Sequence, residues 1–252
     1  MDKFQEKGKC FCGSGKKQKK CHSTVLSKSK LASIYIDYKS YDEKVTKEQI
    51  NAQCENGCSK CCSHFFFVDE LEFLVIVDYI LREQGKEKLD YYLSEAIEYH
   101  KFVGKHHPEI IEDYKRKMLR NANFMEEKFL NDDYYFEPSR ECIFLHEGRC
   151  SVYKVRPSVC RIYGVGQYCE FTKSKKTYSF EEEEKMIVNT SILYGNDARV
   201  LVQRPFPIYY FFIVSLANEK AKAHTLKKLD AFRTLSEAEY CEYKERVNTI
   251  KE

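Results

Sequence analysis

The stretch CENGCSKCC, from Cys54 to Cys62, puts four thiols into nine residues, a density that packing alone does not explain. Thiols so close act as disulfide partners, metal ligands or redox groups. A chain carrying them must fold so that further ligands or partners reach the same place. Candidates are present. A second group, Cys142, Cys150, Cys160 and Cys169, begins eighty residues after Cys62, and Cys10, Cys12 and Cys21 precede both groups. These account for eleven of the twelve cysteines. Cys241, on an amphipathic C-terminal stretch, reads as an ordinary buried or half-buried thiol.

Compartment decides among the three uses. MDKFQEKGKC contains no apolar secretory segment. The longest apolar run, Phe206 to Ala217, is too short to span a bilayer and contains Pro207, so no membrane insertion is expected. The expectation is a cytoplasmic chain in a reducing compartment, where clustered cysteines serve metals rather than disulfides. Its 42 basic and 39 acidic side chains leave only +3, so there is no overall polyanion-binding charge and nucleic acid is not an expected partner. A Trp-free composition rich in Lys, Tyr, Ile and Glu points towards an AT-rich bacterial genome.

The patterning predicts a mainly α fold: a helical cysteine-cluster domain with loops organised by metal, and a small N-terminal zinc module. The polar Gly-, Lys- and Cys-rich residues 1–24 form the module, and 25–50 hold a linker (STVLSKSK) and a weakly patterned helix from Leu31 to Gln49. The cluster domain takes 51–252, with its motif core at 53–169 and C-terminal helices over 180–252. Asp69 is placed to cap a largely buried helix, ELEFLVIVDYILREQ, that stops before Gly85. A second helix carries Leu89, Leu93 and Ile97 and closes near Gly104. Pro108 opens a third that runs on to Phe129. CIFLHEGRCSVY reads as a hairpin turning at Glu147 and Gly148, and Pro157 suits the start of a short helix carrying Cys160 and Arg161. Further helices are expected over Glu181 to Tyr194, Pro207 to Ala223, and Ser236 to Ile250, the last opened by a Ser236/Glu239 capping box.

Cys10, Cys12, Cys21 and His22 supply three thiols and an imidazole, the donor set of a structural tetrahedral zinc. Gly13 and Gly15 let the chain turn sharply behind the first pair. So short a unit has almost no core, and its folding energy must come from metal. The run CxCGSGKKxKxCH resembles the SEC-C motif, the zinc-binding tail of the bacterial preprotein translocase ATPase and of many unrelated proteins. The resemblance implies zinc at Cys10, Cys12, Cys21 and His22, and docking to a protein partner or the ribosome. Lys16, Lys17, Lys19 and Lys20 could touch RNA phosphates or form a solvated positive edge. With only Phe11 interleaved, no sequence-reading role is supported.

In the main cluster, adjacent Cys61 and Cys62 point in different directions whether the backbone is extended or helical, and so suit two metals, or one metal and one bridging or structural position, better than a single ion. Eight thiols could fill two mononuclear sites or hold a cluster plus a zinc, tying residues near 60 to residues near 150. Arg140, Arg149, Arg156 and Arg161 flank the second group, and their charge could offset a thiolate-metal centre or simply be solvated.

CENGCSKCC followed by CIFLHEGRCSVYKVRPSVCRIYG resembles the YkgJ-type cysteine-cluster family, a zinc- or iron-chelating domain, over Gln53 to Cys169. Ile143 stands where that family usually has proline, and Val152 is a conservative change; neither removes a ligand. The resemblance implies chelation by Cys54, Cys58, Cys61, Cys62, Cys142, Cys150 and Cys160. Cys169 is added by count and proximity alone. The expected metal is zinc or iron, including an iron–sulfur cluster.

Three rival uses share these residues. C-x3-C-x2-C is also the triplet of radical S-adenosylmethionine enzymes, but the following segment is helical and lacks strand-helix alternation. The flagellin lysine N-methylase group carries a similar cluster. That likeness implies an alternative function, an iron–sulfur-dependent methyltransferase, with His64, Tyr163 and Tyr168 as polar groups beside the cluster. His64, just before FFF, reads as packed or hydrogen-bonded rather than as a ligand. A redox switch at Cys61 and Cys62 would explain two positions, whereas metal explains eight. Metal binding is therefore the leading function, and no acid, base or nucleophile is assigned.

Overall fold

The computed structural model describes residues 8–48, 58–115, 137–163, 165, 181–190 and 206–242. The mainly α expectation holds. Helices α1 (Gln18–Cys21), α2 (Lys30–Lys47), α3 (Glu70–Tyr79), α4 (Lys86–His106), α5 (Pro108–Lys115), α6 (Ser158–Ile162), α7 (Glu181–Thr190), α8 (Ile208–Leu216) and α9 (Glu219–Thr234) dominate the described residues. No described helix is long and apolar enough to cross a membrane.

Helix α3 organises the rest. Its sequence ELEFLVIVDY is apolar on every face, and Phe73, Leu74, Val75, Ile76 and Val77 are fully buried. Its acidic residues are buried as well, and each binds a different neighbour, as buried charges must. Glu70 pairs with Lys228 of α9. Glu72 accepts from Ser158, which opens α6. Asp78 pairs with Arg233 of α9 at 2.7 Å and with Arg82 at 3.5 Å. The expected cap is present as an Asp69/Glu72 capping box. The last turn, Ile80–Gln84, loosens to π geometry before Gly85 at φ 90°, which lets α4 start in a new direction.

Aromatic rings fill the space around α3. Phe73 stacks on Phe211 at 5.2 Å, and Tyr99 of α4 stacks on Tyr209 of α8 at 4.5 Å. A two-residue antiparallel pairing, β1 (Phe67–Val68) with β4 (Phe206–Pro207), fastens the start of α3 to the start of α8. The hairpin forms as expected, β2 (Leu145–His146) pairing with β3 (Arg149–Cys150). Glu147 at φ 48° and Gly148 at φ 73° make its turn.

One helix boundary differs from the sequence reading. Pro207 to Ala223 is not continuous: the chain breaks at Asn218, whose side chain accepts from Ala221 N at 2.9 Å and starts α9. The cap offers those amides a partner and lets α9 fold back onto α8 and α3. The Ser236/Glu239 box is present, with Ser236 N donating to Glu239 Oε2 at 2.9 Å. The expected continuations of helices beyond residues 115, 190 and 242 lie outside the described residues.

Candidate metal centres

The N-terminal ligand set comes together. Gly13 and Gly15 adopt φ 77° and 73°, and Cys10 N donates to Lys16 O at 2.8 Å, closing a tight loop behind the first two thiols. Helix α1 then delivers Cys21, with His22 directly after it. The ligand atoms of Cys10, Cys12, Cys21 and His22 all lie within 4.8 Å of one another, the one such grouping among the described residues. Cys12 Sγ is 3.6 Å from Cys21 Sγ, and Cys10 Sγ is 3.1 Å from His22 Nδ1. A zinc tetrahedron with ordinary Zn–S and Zn–N lengths has edges of about 3.5 to 3.8 Å; the Cys12–Cys21 edge matches this, and the shorter Cys10–His22 pair needs only a small side-chain adjustment to admit the ion. The imidazole agrees: burial first, then the charges of Arg82 and Arg233, lower its pKa to about 3, keeping it neutral. Its Nε2 is buried without a hydrogen-bond partner among the described residues.

This cluster is packed onto the helices. The His22 ring lies 4.8 Å from the Tyr35 ring of α2, and Phe11 lies 6.0 Å from that tyrosine. Arg82 donates to Cys21 O at 3.3 Å and to the Tyr35 hydroxyl at 3.2 Å. Leu26 N, in the segment read as a linker, donates to Arg233 O at 3.0 Å. Lys16, Lys17, Lys19 and Lys20 are exposed.

The second centre is a cavity of about 930 Å³ whose wall includes Cys58, Cys61, Cys62, Cys142, Cys150 and Cys160. The first three come from the short 3₁₀ turn Lys60–Ser63 and its approach. Cys142 precedes the hairpin, Cys150 ends it, and Cys160 sits on α6. Cys142 N donates to Cys62 O at 2.7 Å, so the two distant motifs meet through the backbone. No three of these thiols approach as closely as the N-terminal set. They surround a space instead of closing on a point. Cys54 and Cys169 lie outside the described residues, as does Tyr168. No described cysteine forms a disulfide, and Cys241 is half-buried 4.0 Å from Glu237.

His64 is buried in the cavity wall that the thiols share, its ring 5.7 Å from Phe66 and 5.5 Å from Tyr163. The arginines behave less simply. Arg156 and Arg161 both pair with Asp42 of α2, and Arg140 pairs with Glu95 while lying over the Tyr99 ring. Arg156 still stands close enough to Cys150 for its charge to oppose the effect of burial there. Asp42, Glu72 and Tyr38 belong to the surroundings of this centre, and sequence reasoning passed over all three.

Burial raises the thiols of Cys10, Cys142, Cys150 and Cys160. Cys10 and Cys142 are pushed up to about 12, and Cys160 lies well above the ordinary value for the same reason. Cys12 moves down: burial alone would raise it, but hydrogen bonds with Ser14, Cys10 and Cys21 together outweigh that. Metal must therefore displace protons, and zinc affinity is expected to fall as pH falls. The chelated protein should show the companion effect. From about pH 9 to about 12, thiols of the unfolded chain lose protons that folded Cys10 and Cys142 retain. The folded state then binds more protons, so stability drops as pH rises through that window. Urea midpoints of chelated and metal-loaded protein across that range check this; parallel curves would contradict it.

Thiols and an imidazole converging in this way define a protein whose chemistry is metal chelation. A family model, "CxxCxxCC: Putative zinc- or iron-chelating domain", matches residues 53–179, just over half of the chain, and the chain belongs to that family. Neither the curated proteins nor the solved structures yield a match.

Proposed function

We propose that the protein binds metal at two centres, a zinc at its N-terminal cluster and zinc or iron in the central cavity. Cys10, Cys12, Cys21 and His22 would hold the zinc in a closed tetrahedron, which leaves no position for a substrate and so suits a structural role. Cys58, Cys61, Cys62, Cys142, Cys150 and Cys160 would serve the central centre, with Cys54 and Cys169 as further ligands. The observation that carries this reading is the shared cavity: thiols from two motifs eighty residues apart line one wall, joined by the Cys142–Cys62 backbone hydrogen bond.

The spacing of those thiols favours more than one ion. An iron–sulfur cluster places inorganic sulfide between its irons, so its cysteines stand farther apart than the ligands of a single ion. A cavity of about 930 Å³ leaves room for such a cluster beside a small molecule. That room supports iron–sulfur-dependent enzyme chemistry, such as methyl transfer, as the second reading. The exposed lysines around the N-terminal cluster support a docking role towards a protein or ribosomal partner.

Anaerobic purification with elemental analysis and a visible spectrum tests the proposal. More than one metal per chain is expected. Brown protein with iron and sulfide would select the cluster, and colourless protein containing only zinc would select mononuclear sites. A single metal that disappears on deleting residues 1–24 would sink the central centre.

A further inference from the structure

Glu72 sits on the buried helix α3 at 3% exposure, where a carboxylate is tolerated only with specific partners. Its Oε1 accepts from Ser158 N at 2.6 Å, from Ser158 Oγ at 2.7 Å and from the Tyr38 hydroxyl at 3.1 Å. Capping of α3 does not need these bonds, since it uses Oε2, 3.5 Å from Asp69 N. Ser158 opens α6, a helix of five residues whose third is Cys160. Two bonds to the first residue of so short a helix fix both its position and its rotation. Cys160 follows just over half a turn later.

The other end of α6 is fastened independently. Arg161 pairs with Asp42, donates to Lys154 O at 2.7 Å and lies 4.1 Å over the Tyr38 ring. Tyr38 thus touches both fastenings, which come from α2 and α3. Cys160 is held between them.

We propose that Glu72 is the positioning residue of the central centre, setting the Cys160 sulfur through its hold on Ser158. This rests on the reading of Cys160 as a ligand. Outer partners that orient ligands typically change metal affinity by about 10- to 100-fold when removed, and an effect of that size is expected here.

The test uses the full chain loaded with cobalt(II) as a spectroscopic stand-in, with chelator competition at each centre. Glu72→Leu should weaken the central centre by about 10- to 100-fold and reduce its thiolate-to-cobalt charge-transfer band, while the N-terminal centre keeps its affinity. Glu72→Gln, whose carbonyl can still accept from Ser158, should recover most of both signals. Ser158→Ala keeps the backbone donor and should give a smaller loss in the same direction. It remains informative should Glu72→Leu not fold. Unchanged central affinity in either Glu72→Leu or Ser158→Ala would overturn the proposal, as would equal loss at both centres. Cys160→Ser separates the two levels: if it leaves central metal binding intact, the ligand assignment fails and the positioning role falls with it, whereas metal loss in Cys160→Ser beside unchanged affinity in Glu72→Leu overturns the positioning role alone.

Discussion

Replacing Cys160 with serine should empty the central centre and leave the N-terminal one loaded. Cys160 sits on α6 with Cys61, Cys142 and Cys150 near enough for their charges to act on it, and an alcohol there cannot replace a thiolate towards zinc or iron. If the metal is normally held at a thousandfold above its dissociation constant, its loss removes about 4 kcal/mol of stability. Elemental analysis together with a urea midpoint checks both parts. Full metal content in the variant would remove Cys160 from the ligand set. Cys142→Ser should behave alike, because the Cys142 thiol lines the same cavity while serine keeps the backbone donor to Cys62 O.

Deleting residues 1–24 should remove one zinc, and it should also weaken the helical body. The cluster covers Tyr35 with two rings and gives Arg82 a carbonyl to bind. Without it, a buried Tyr35–Asp78–Arg82 group loses part of its shelter, at a cost of about 2 to 3 kcal/mol. Zinc analysis and denaturant unfolding of the truncated chain measure the two effects. A truncated chain as stable as the whole one would make residues 1–24 a freely separable module. A chain unable to fold would make zinc part of the foundation of the body.

The central helix shows how a sequence can announce burial without announcing partners. ELEFLVIVDY is apolar on all sides, so α3 had to be interior, and Asp69 was placed to begin it. What its three buried acids bind could not be read, because Glu70 meets Lys228, Glu72 meets Ser158 and Asp78 meets Arg233, each far along the chain. The break at Asn218 is a different case. Asn followed by Glu, Lys and Ala is a cap signal, but the preceding apolar run hid it.

Ligand chemistry was a property of the sequence by itself. Thiol type, count and local spacing decide which metals are acceptable, and the N-terminal set closes within a loop short enough for two glycines and one helical turn to determine its geometry. The hairpin turn at Glu147–Gly148 was local in the same sense. The tie between residues near 60 and residues near 150 was also expected from the thiols, but tertiary structure alone decided that it runs through the Cys142–Cys62 backbone bond along one cavity wall, and that Arg156 and Arg161 turn to Asp42. Those outcomes depend on how α2, α3 and α6 pack together, and contacts between distant segments leave no periodic trace in either segment.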